Sequence, residues 1–180
     1  CGASFAPALT GDGTLSTAGY ALLRDGVLVG WAEGAAAAGV NLLLSRVDAD
    51  VVELPQADGT AALRVVGAKT RIRGVFDGEV LTGMDVKCRV EANLAEGAPA
   101  LQEEAARRRL EAELAAVEQE RILAALELCR TLEGDFFSLA GAAGLSQPWR
   151  AEALRRQWDP SSLEVSVSVT AKLERSYDAG

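Results

Sequence analysis

The chain contains no histidine, and this absence excludes more function classes than any residue that is present. Without histidine there is no Ser-His-Asp triad, no Cys-His dyad, no histidine-ligated metal and no imidazole to act as general acid or base near neutral pH. A hydrolase built on paired carboxylates needs no histidine and is a further possible class of function. No pair of acids in the sequence has a spacing that favours it. We therefore expect a protein that is not an enzyme and that uses no cofactor.

Cysteines and long apolar runs are also scarce. The three cysteines Cys1, Cys88 and Cys129 contain no CxxC pair, and their odd number predicts no disulfide framework. No run approaches the roughly 20 apolar residues of a membrane span, so we expect the given chain to be soluble. The net charge of -8 disfavours a nucleic-acid partner, because neutralising phosphates requires clustered lysine and arginine.

Regular alternation of apolar and polar residues predicts most of the strands. Residues 19–31 form two short strands around the tight-turn signal Asp25-Gly26. Residues 63–76 and 80–94 predict a long antiparallel hairpin, and 163–173 predict a final strand with six apolar residues facing the core. A separate short strand is expected near Pro55.

Helical patterns separate these strands. We expect a short helix within 33–46, which Gly34 and Gly39 weaken, and a long amphipathic helix over 100–132. Shorter helices are expected over 150–157 and after Asp135, which would cap a helix that contains Phe136 and Phe137. The predicted class is α+β: a mostly antiparallel sheet with a long hairpin and a C-terminal strand, with one long and two short helices packed on one face. Residues 1–17 are expected to be a lead-in or linker, and 18–180 the folded domain.

Five pieces follow one another along the chain: the opening GYALLRDGVLVGW, the strand end VEANLAE, the long charged helix, its continuation EGDFFSL, and Trp149 and Trp158 before the last strand. In this order they resemble the C-terminal domain of the Ger(x)C family, the lipoprotein C subunits of nutrient germinant receptors in bacterial spores. The resemblance covers roughly residues 8–180. The family's long helix is usually rich in lysine, whereas this one carries arginine, glutamate and alanine.

This resemblance implies a non-enzymatic subunit of a spore germinant receptor. The full protein would be lipid-anchored on the outer face of the spore inner membrane, where it would work with the A and B membrane subunits of the receptor. This domain would supply a surface for protein–protein contact. The alternative is a stand-alone binding module of the envelope that holds a small ligand in a cleft between sheet and helices.

Cys1 has two interpretations. Family members carry an N-terminal domain before this one, so the resemblance implies that the sequence is a fragment that merely begins at Cys1. Alternatively, Cys1 followed by Gly2 resembles the first residue of a mature lipoprotein, whose thiol carries the diacylglycerol. Cys1 would then be the lipid-attachment site of a short, one-domain relative.

The predicted partner surface is a basic strip on one face of the long hairpin. Its members share one strand parity and are Lys69, Arg71, Arg73, Lys87 and Arg89. Asp85 and Glu91 interrupt the strip. The alternative interpretation of these cations is an ordinary solvated face.

Two acidic turns are weak candidates for calcium binding. Asp12 lies between two glycines, and Asp48 and Asp50 flank Ala49. Neither has the twelve-residue ligand spacing of a dedicated calcium loop, so we interpret both as polar turns. We expect no metal site.

Charged and aromatic clusters elsewhere also have structural interpretations. Arg107-Arg108-Arg109 lies beside Glu103 and other acids on the long helix, which predicts pairing along a wet helix surface. Glu118 is assigned to the same solvated side of this helix. Trp31, Trp149 and Trp158 abut strand or helix ends, so we expect core packing rather than a ligand cleft.

Overall fold

The computed structural model of the protein describes residues 2–11, 15–46, 50–56, 59–96 and 104–174. Within these residues the chain alternates groups of strands and helices, which confirms the predicted α+β class. The elements, in chain order, are β1 (Ala3–Gly11), β2 (Leu15–Arg24), β3 (Val27–Ala32), α1 (Gly34–Leu43), β4 (Val51–Gln56), β5 (Gly59–Asp77), β6 (Val80–Glu96), α2 (Glu104–Thr131), α3 (Leu139–Ser146), α4 (Ala151–Gln157) and β7 (Glu164–Glu174).

The strands form two sheets. A three-stranded antiparallel sheet has the order β1-β2-β3, and a four-stranded sheet has the order β4-β5-β6-β7. Asp25 and Gly26 both have positive φ, of 51° and 81°, which is the geometry of the tight hairpin turn that the sequence predicted there. The long hairpin also forms, with Asp77 opposite Val80 at its closed end.

Strand β1 corrects the expectation that the first residues are an irregular lead-in. Ala3–Gly11 pairs antiparallel with β2, with Phe5 opposite Leu22. The ring of Phe5 packs edge-on against Tyr20 and Phe137, at centroid distances of 5.3 and 5.6 Å. These aromatic contacts hold a segment whose glycine, alanine and serine content alone favours a loop. The domain boundary at residue 18 stays a prediction.

A bulge in β5 alters the predicted alternation of its side chains. The register with β6 shifts between Val65 and Gly67, so residues before and after the bulge do not share one parity. As a result Val66 is 44% exposed, although the sequence placed it on the same face as Ile72, which is 2% exposed.

Strand β7 joins the four-stranded sheet next to β6, in the parallel direction. A parallel neighbour requires a long crossover, which α2, α3 and α4 supply. Because β7 lies at the sheet edge, its apolar residues are less buried than expected. Leu163 and Leu173 are buried, whereas Val165 is 38% exposed.

Helix α2 packs against β7 and crosses α1 at close range. A Cβ atom on Gly39 would lie 1.9 Å from the carbonyl oxygen of Arg121, so only glycine permits this approach of the two backbones. The glycine that weakened the α1 prediction is therefore required by the packing.

The junction between α2 and α3 differs slightly from its prediction. Asp135 does cap α3, since its carboxylate accepts the N–H groups of Leu139 (2.6 Å) and Ala140 (2.9 Å). Phe136 and Phe137 precede the helix instead of lying in it, because Ser138 adopts a left-handed conformation with φ of 57°. Both phenylalanines are buried in the core.

Candidate interaction surface

The five cations predicted from the sequence lie together on the solvent side of the four-stranded sheet. Lys69 stands opposite Arg89, and Arg71 stands opposite Lys87, across the β5–β6 ladder. Arg73 is opposite Asp85, one of the two acids that interrupt the strip. The side chains of all five cations are exposed. All five therefore share one exposed face; that this face is a partner surface stays a prediction.

The third strand adds a cation that sequence reasoning missed. The parallel register places Lys172 of β7 beside Glu91 of β6, and Thr170 beside Arg89. Lys172 is exposed, so it continues the strip across a third strand. The alternation along β7 predicts that Lys172 is on the polar face of that strand. Its neighbours in the sheet lie on β6, about 80 residues away in the sequence, and no local pattern reveals this pairing. We call the combined surface the basic face: Lys69, Arg71, Arg73, Lys87, Arg89 and Lys172.

The cations of the basic face are poorly neutralised. Among the residues that the structure describes, the only ion pair of the basic face joins Lys87 to Asp85, at a nitrogen–oxygen distance of 3.6 Å. Like charges directly opposite one another on a sheet destabilise it slightly. A chain of net charge -8 thus concentrates unpaired positive charge on one face of one sheet.

The arginines of α2 behave differently. Arg107 and Arg108 both bond Glu104, at 2.8 and 2.9 Å, and Arg109 bonds Glu113 at 2.8 Å. These are the pairs along the helix that the sequence predicted. Glu103, the other acid considered there, lies outside the described residues.

A cavity of about 620 Å³ lies between the three-stranded sheet and helices α1 and α2. Glu118 lines it and is 1% exposed, with both carboxylate oxygens within 3.3 Å of a single Arg121 nitrogen. The same nitrogen donates to Asp50 at 2.5 Å. At another part of the wall, the Tyr20 hydroxyl donates to Asn41 at 2.5 Å.

Burial raises the pKa of Glu118 from its ordinary value of 4.5, and the nearby Arg121 charge opposes that rise without cancelling it. Sequence reasoning had assigned Glu118 to the solvated side of the long helix. That assignment is wrong: Glu118 lies four residues after Leu114 and four before Ile122, both fully buried, and this spacing was the available signal.

The tryptophans do not behave as expected. Trp31 is 47% exposed and Trp149 is 75% exposed, so the prediction of core packing is wrong for both. Trp31 and Ala32 are consecutive residues of β3, so their side chains point to opposite faces of the sheet. The small Ala32 faces the core, at 0% exposure. Trp158 is half-buried against the core. None of the three lines the cavity.

The remaining candidates have structural roles or lie outside the described ranges. Cys88 and Cys129 are buried, and burial raises the pKa of Cys129 to about 12, so neither thiol is a poised nucleophile. Asp50 is engaged by Arg121, while Cys1, Asp12 and Asp48 are not among the described residues. The described side chains contain no cluster of acids or cysteines able to hold a metal ion. Among the helices described, none combines the length and apolar character needed to cross a membrane.

Comparison with known proteins gives the family. A family profile described as "Spore germination B3/ GerAC like, C-terminal" matches residues 18–177. A solved structure described as "Crystal Structure of the GerBC protein" has a similar fold, with a TM-score of 0.77 at 12% sequence identity. The similarity covers 95% of this chain and 56% of that one, so this chain spans little more than half of that structure. No curated protein sequence matches.

At 12% identity the structural likeness establishes the fold alone, whereas the profile extends over most of the sequence. The resemblance proposed from the sequence is confirmed, and the chain belongs to the spore germination B3/GerAC-like C-terminal family.

Proposed function

We propose that this chain is the C-terminal domain of the C subunit of a spore nutrient germinant receptor, and that it acts as a non-enzymatic protein-interaction domain. Family membership over residues 18–177 supports the role in germination. The observation that carries the interaction role is the basic face, which presents clustered cations of which only Lys87 forms an ion pair within the described part of the chain. We place the domain at 18–180, with β1 packed onto it.

The proposed partners are the A and B membrane subunits of the receptor. In the full-length protein a lipid anchor would hold this domain on the outer face of the spore inner membrane. A flat, positively charged face is suited to an acidic segment of a partner protein, since complementary charge directs association and orientation. Asp85 and Glu91 within the strip fit a protein partner better than a nucleic acid, whose phosphates both would repel.

Germination of spores that lack the parent gene tests the proposed role. Loss of the response to a subset of nutrients, with the calcium-dipicolinate response intact and the defect reversed by restoring the gene, is the expected result. Paralogous receptors can mask a single deletion, so the strain used also lacks the paralogues. An unchanged nutrient response relative to that background would contradict the proposal.

The contact surface has its own test. Wild-type protein should co-purify with the A and B subunits from spore membranes, and a chain with Lys69→Glu and Arg71→Glu should not. The control carries Arg108→Glu and Arg130→Glu, the same number of charge reversals on the exposed side of α2. Equal recovery of the partners with both variants would show that the contact lies elsewhere.

A second candidate function, a small-ligand binding module, is favoured by the cavity beside Glu118. A buried carboxylate whose two oxygens share one donor nitrogen retains capacity to accept further hydrogen bonds. A saturable rise in melting temperature with an amino acid or sugar, abolished by Glu118→Gln, would support this function. No shift with any compound of the panel would argue against it.

A further inference from the structure

The four-stranded sheet protects one of its edges and leaves the other open. Where β5 runs beyond β4, side chains occupy its outward backbone groups. Ser45 accepts the N–H of Thr70 at 2.9 Å, and Gln147 accepts the N–H of Gly74 at 2.8 Å while donating to the Gly74 carbonyl at 3.2 Å. Such devices prevent another strand from adding to an unpaired row of backbone groups.

Among the described residues, a comparable side-chain contact protects the outer edge of β7 only near its C-terminal end. In its C-terminal part, Glu111 accepts the N–H of Leu173 at 3.0 Å. Because successive N–H groups point to opposite sides of a strand, the N–H groups of Val165, Val167, Val169 and Ala171 point outward as that of Leu173 does. Within the described residues, no group outside the sheet bonds them.

The side chains on the helix side of β7 are also incompletely covered. Val165 is 38% exposed, and Val167 and Val169 are half-buried, while their neighbours Met84 and Val86 on β6 are buried. A strand added beyond β7 would extend the apolar layer over these residues. Both the backbone and the side chains therefore point to an extended segment as the missing neighbour.

We propose that this neighbour is β7 of a second copy of the chain, paired antiparallel about a two-fold axis at Ser168. In that register Val165 faces Ala171 and Val167 faces Val169, so the four open residues form the hydrogen-bonded pairs. On the solvent side Glu164 faces Lys172 of the other copy, twice by symmetry. Opposite charges directly across an antiparallel pair are favourable.

The structure discriminates against a neighbouring register. A two-fold axis at Val169 would pair Val165 with Leu173, whose N–H is already held by Glu111. The same register would bring Glu164 opposite Glu174, a repulsive pair. Charge complementarity and the Glu111 contact thus favour the axis at Ser168 over the axis at Val169.

Cysteine cross-linking tests both the pairing and its register. All variants carry Cys1→Ser, because Cys88 and Cys129 are buried and Cys1 would otherwise react. Ser168→Cys places two thiols at a non-hydrogen-bonded pair with Cα atoms about 4.5 Å apart, within disulfide reach. Copper–phenanthroline with dissolved oxygen accepts the two electrons that the thiols lose, and we expect a disulfide-linked dimer.

Ser166→Cys is the matched control, an equally exposed serine on the same face of β7. In the proposed register its two copies lie about 14 Å apart along the strands and cannot join. Equal cross-linking of both variants would indicate random collision and overturn the register. Absence of cross-linking with Ser168→Cys at high protein concentration would overturn the pairing.

Sedimentation velocity of the uncross-linked chain gives an independent readout. We expect a concentration-dependent dimer, weakened about tenfold by Lys172→Glu and restored by Lys172→Glu with Glu164→Lys. A chain that stays monomeric would contradict self-pairing. Self-pairing would also be contradicted if the β7 amides were protected from exchange only when another germination protein is added, and that result would assign the edge to that protein.

Discussion

The two faces of the four-stranded sheet are built by the same strands and carry opposite chemistry. On the helix side, the β6 residues Met84, Val86, Cys88 and Val90 are at most 3% exposed. On the solvent side, the residues between them include Lys87 and Arg89, and cations of β5 stand opposite both. The helix side buries apolar area and so contributes to stability, whereas the solvent side holds like charges together at a small cost.

This difference separates folding from recognition. Substitutions on the helix side are expected to change the free energy of unfolding by several kcal/mol, and substitutions on the basic face by a fraction of one. Conversely, the basic face is expected to control partner binding. Four changes, in descending order of effect on stability, test that separation.

Removal of β7 is expected to have the largest effect. A chain ending at Ser161 loses Leu163, Leu173 and the whole ladder with β6, and it also loses the strand against which α2 packs. We expect loss of cooperative thermal unfolding by circular dichroism. A folded, cooperative domain without β7 would show that the remaining three strands and helices form a sufficient core.

Phe136→Ala should have the next largest effect. Phe136 lies in the connection between α2 and α3, and its side chain is 0% exposed in the core. Its truncation should lower the free energy of unfolding by about 3–5 kcal/mol, measured by urea titration. Phe76→Ala, at a half-buried ring that packs under Arg150 at 4.8 Å, should cost less. Equal losses for the two would contradict the proposed core.

Glu118→Gln should change the pH dependence of stability. The folded-state pKa of Glu118 is raised above 4.5, so the folded chain binds more protons than the unfolded chain between those two pKa values. The stabilising contribution of Glu118 to the free energy of unfolding is therefore fully present below about pH 4.5. It is lost as the pH rises through the pKa of Glu118 in the folded chain.

We expect unfolding free energies measured from pH 4 to 8 to fall less with rising pH in Glu118→Gln than in wild type. Glu120→Gln, at an exposed position of the same helix, serves as the control for the removal of one carboxylate. Parallel wild-type and Glu118→Gln profiles would show that the buried carboxyl titrates normally.

Lys69→Glu with Arg71→Glu should have the smallest effect on stability, because both positions are exposed. The new glutamates would face Arg89 and Lys87, converting repulsive cross-strand pairs into attractive ones. The free energy of unfolding should stay unchanged or rise by up to about 1 kcal/mol. A loss above about 2 kcal/mol would mean that the basic face also stabilises the fold.

Local sequence patterns predicted the strands other than β1, and also the basic strip, because the information for both is local. The alternation from Met84 to Leu94 defines a buried and an exposed face without reference to any partner. The same rule failed at Val66, because a bulge depends on how β5 aligns with β6 and not on its own composition.

The features that were missed depend on distant contacts. Lys172 joins the basic face only because β7 pairs with β6 after a crossover through three helices. Phe5 forms part of the fold because Tyr20 and Phe137 meet it in space. Glu118 was judged by its charge, although its spacing from Leu114 and Ile122 placed it on the buried side of α2.

Nutrient germination of spores that carry Lys69→Glu with Arg71→Glu, in a background without paralogous receptors, tests the separation most directly. The variant protein must be present at the wild-type level, and spores with Arg108→Glu and Arg130→Glu provide the control. We predict a defective nutrient response in the first strain and a normal one in the second, with calcium-dipicolinate germination normal in both. Normal nutrient germination in the first strain would contradict the assignment of recognition to the basic face.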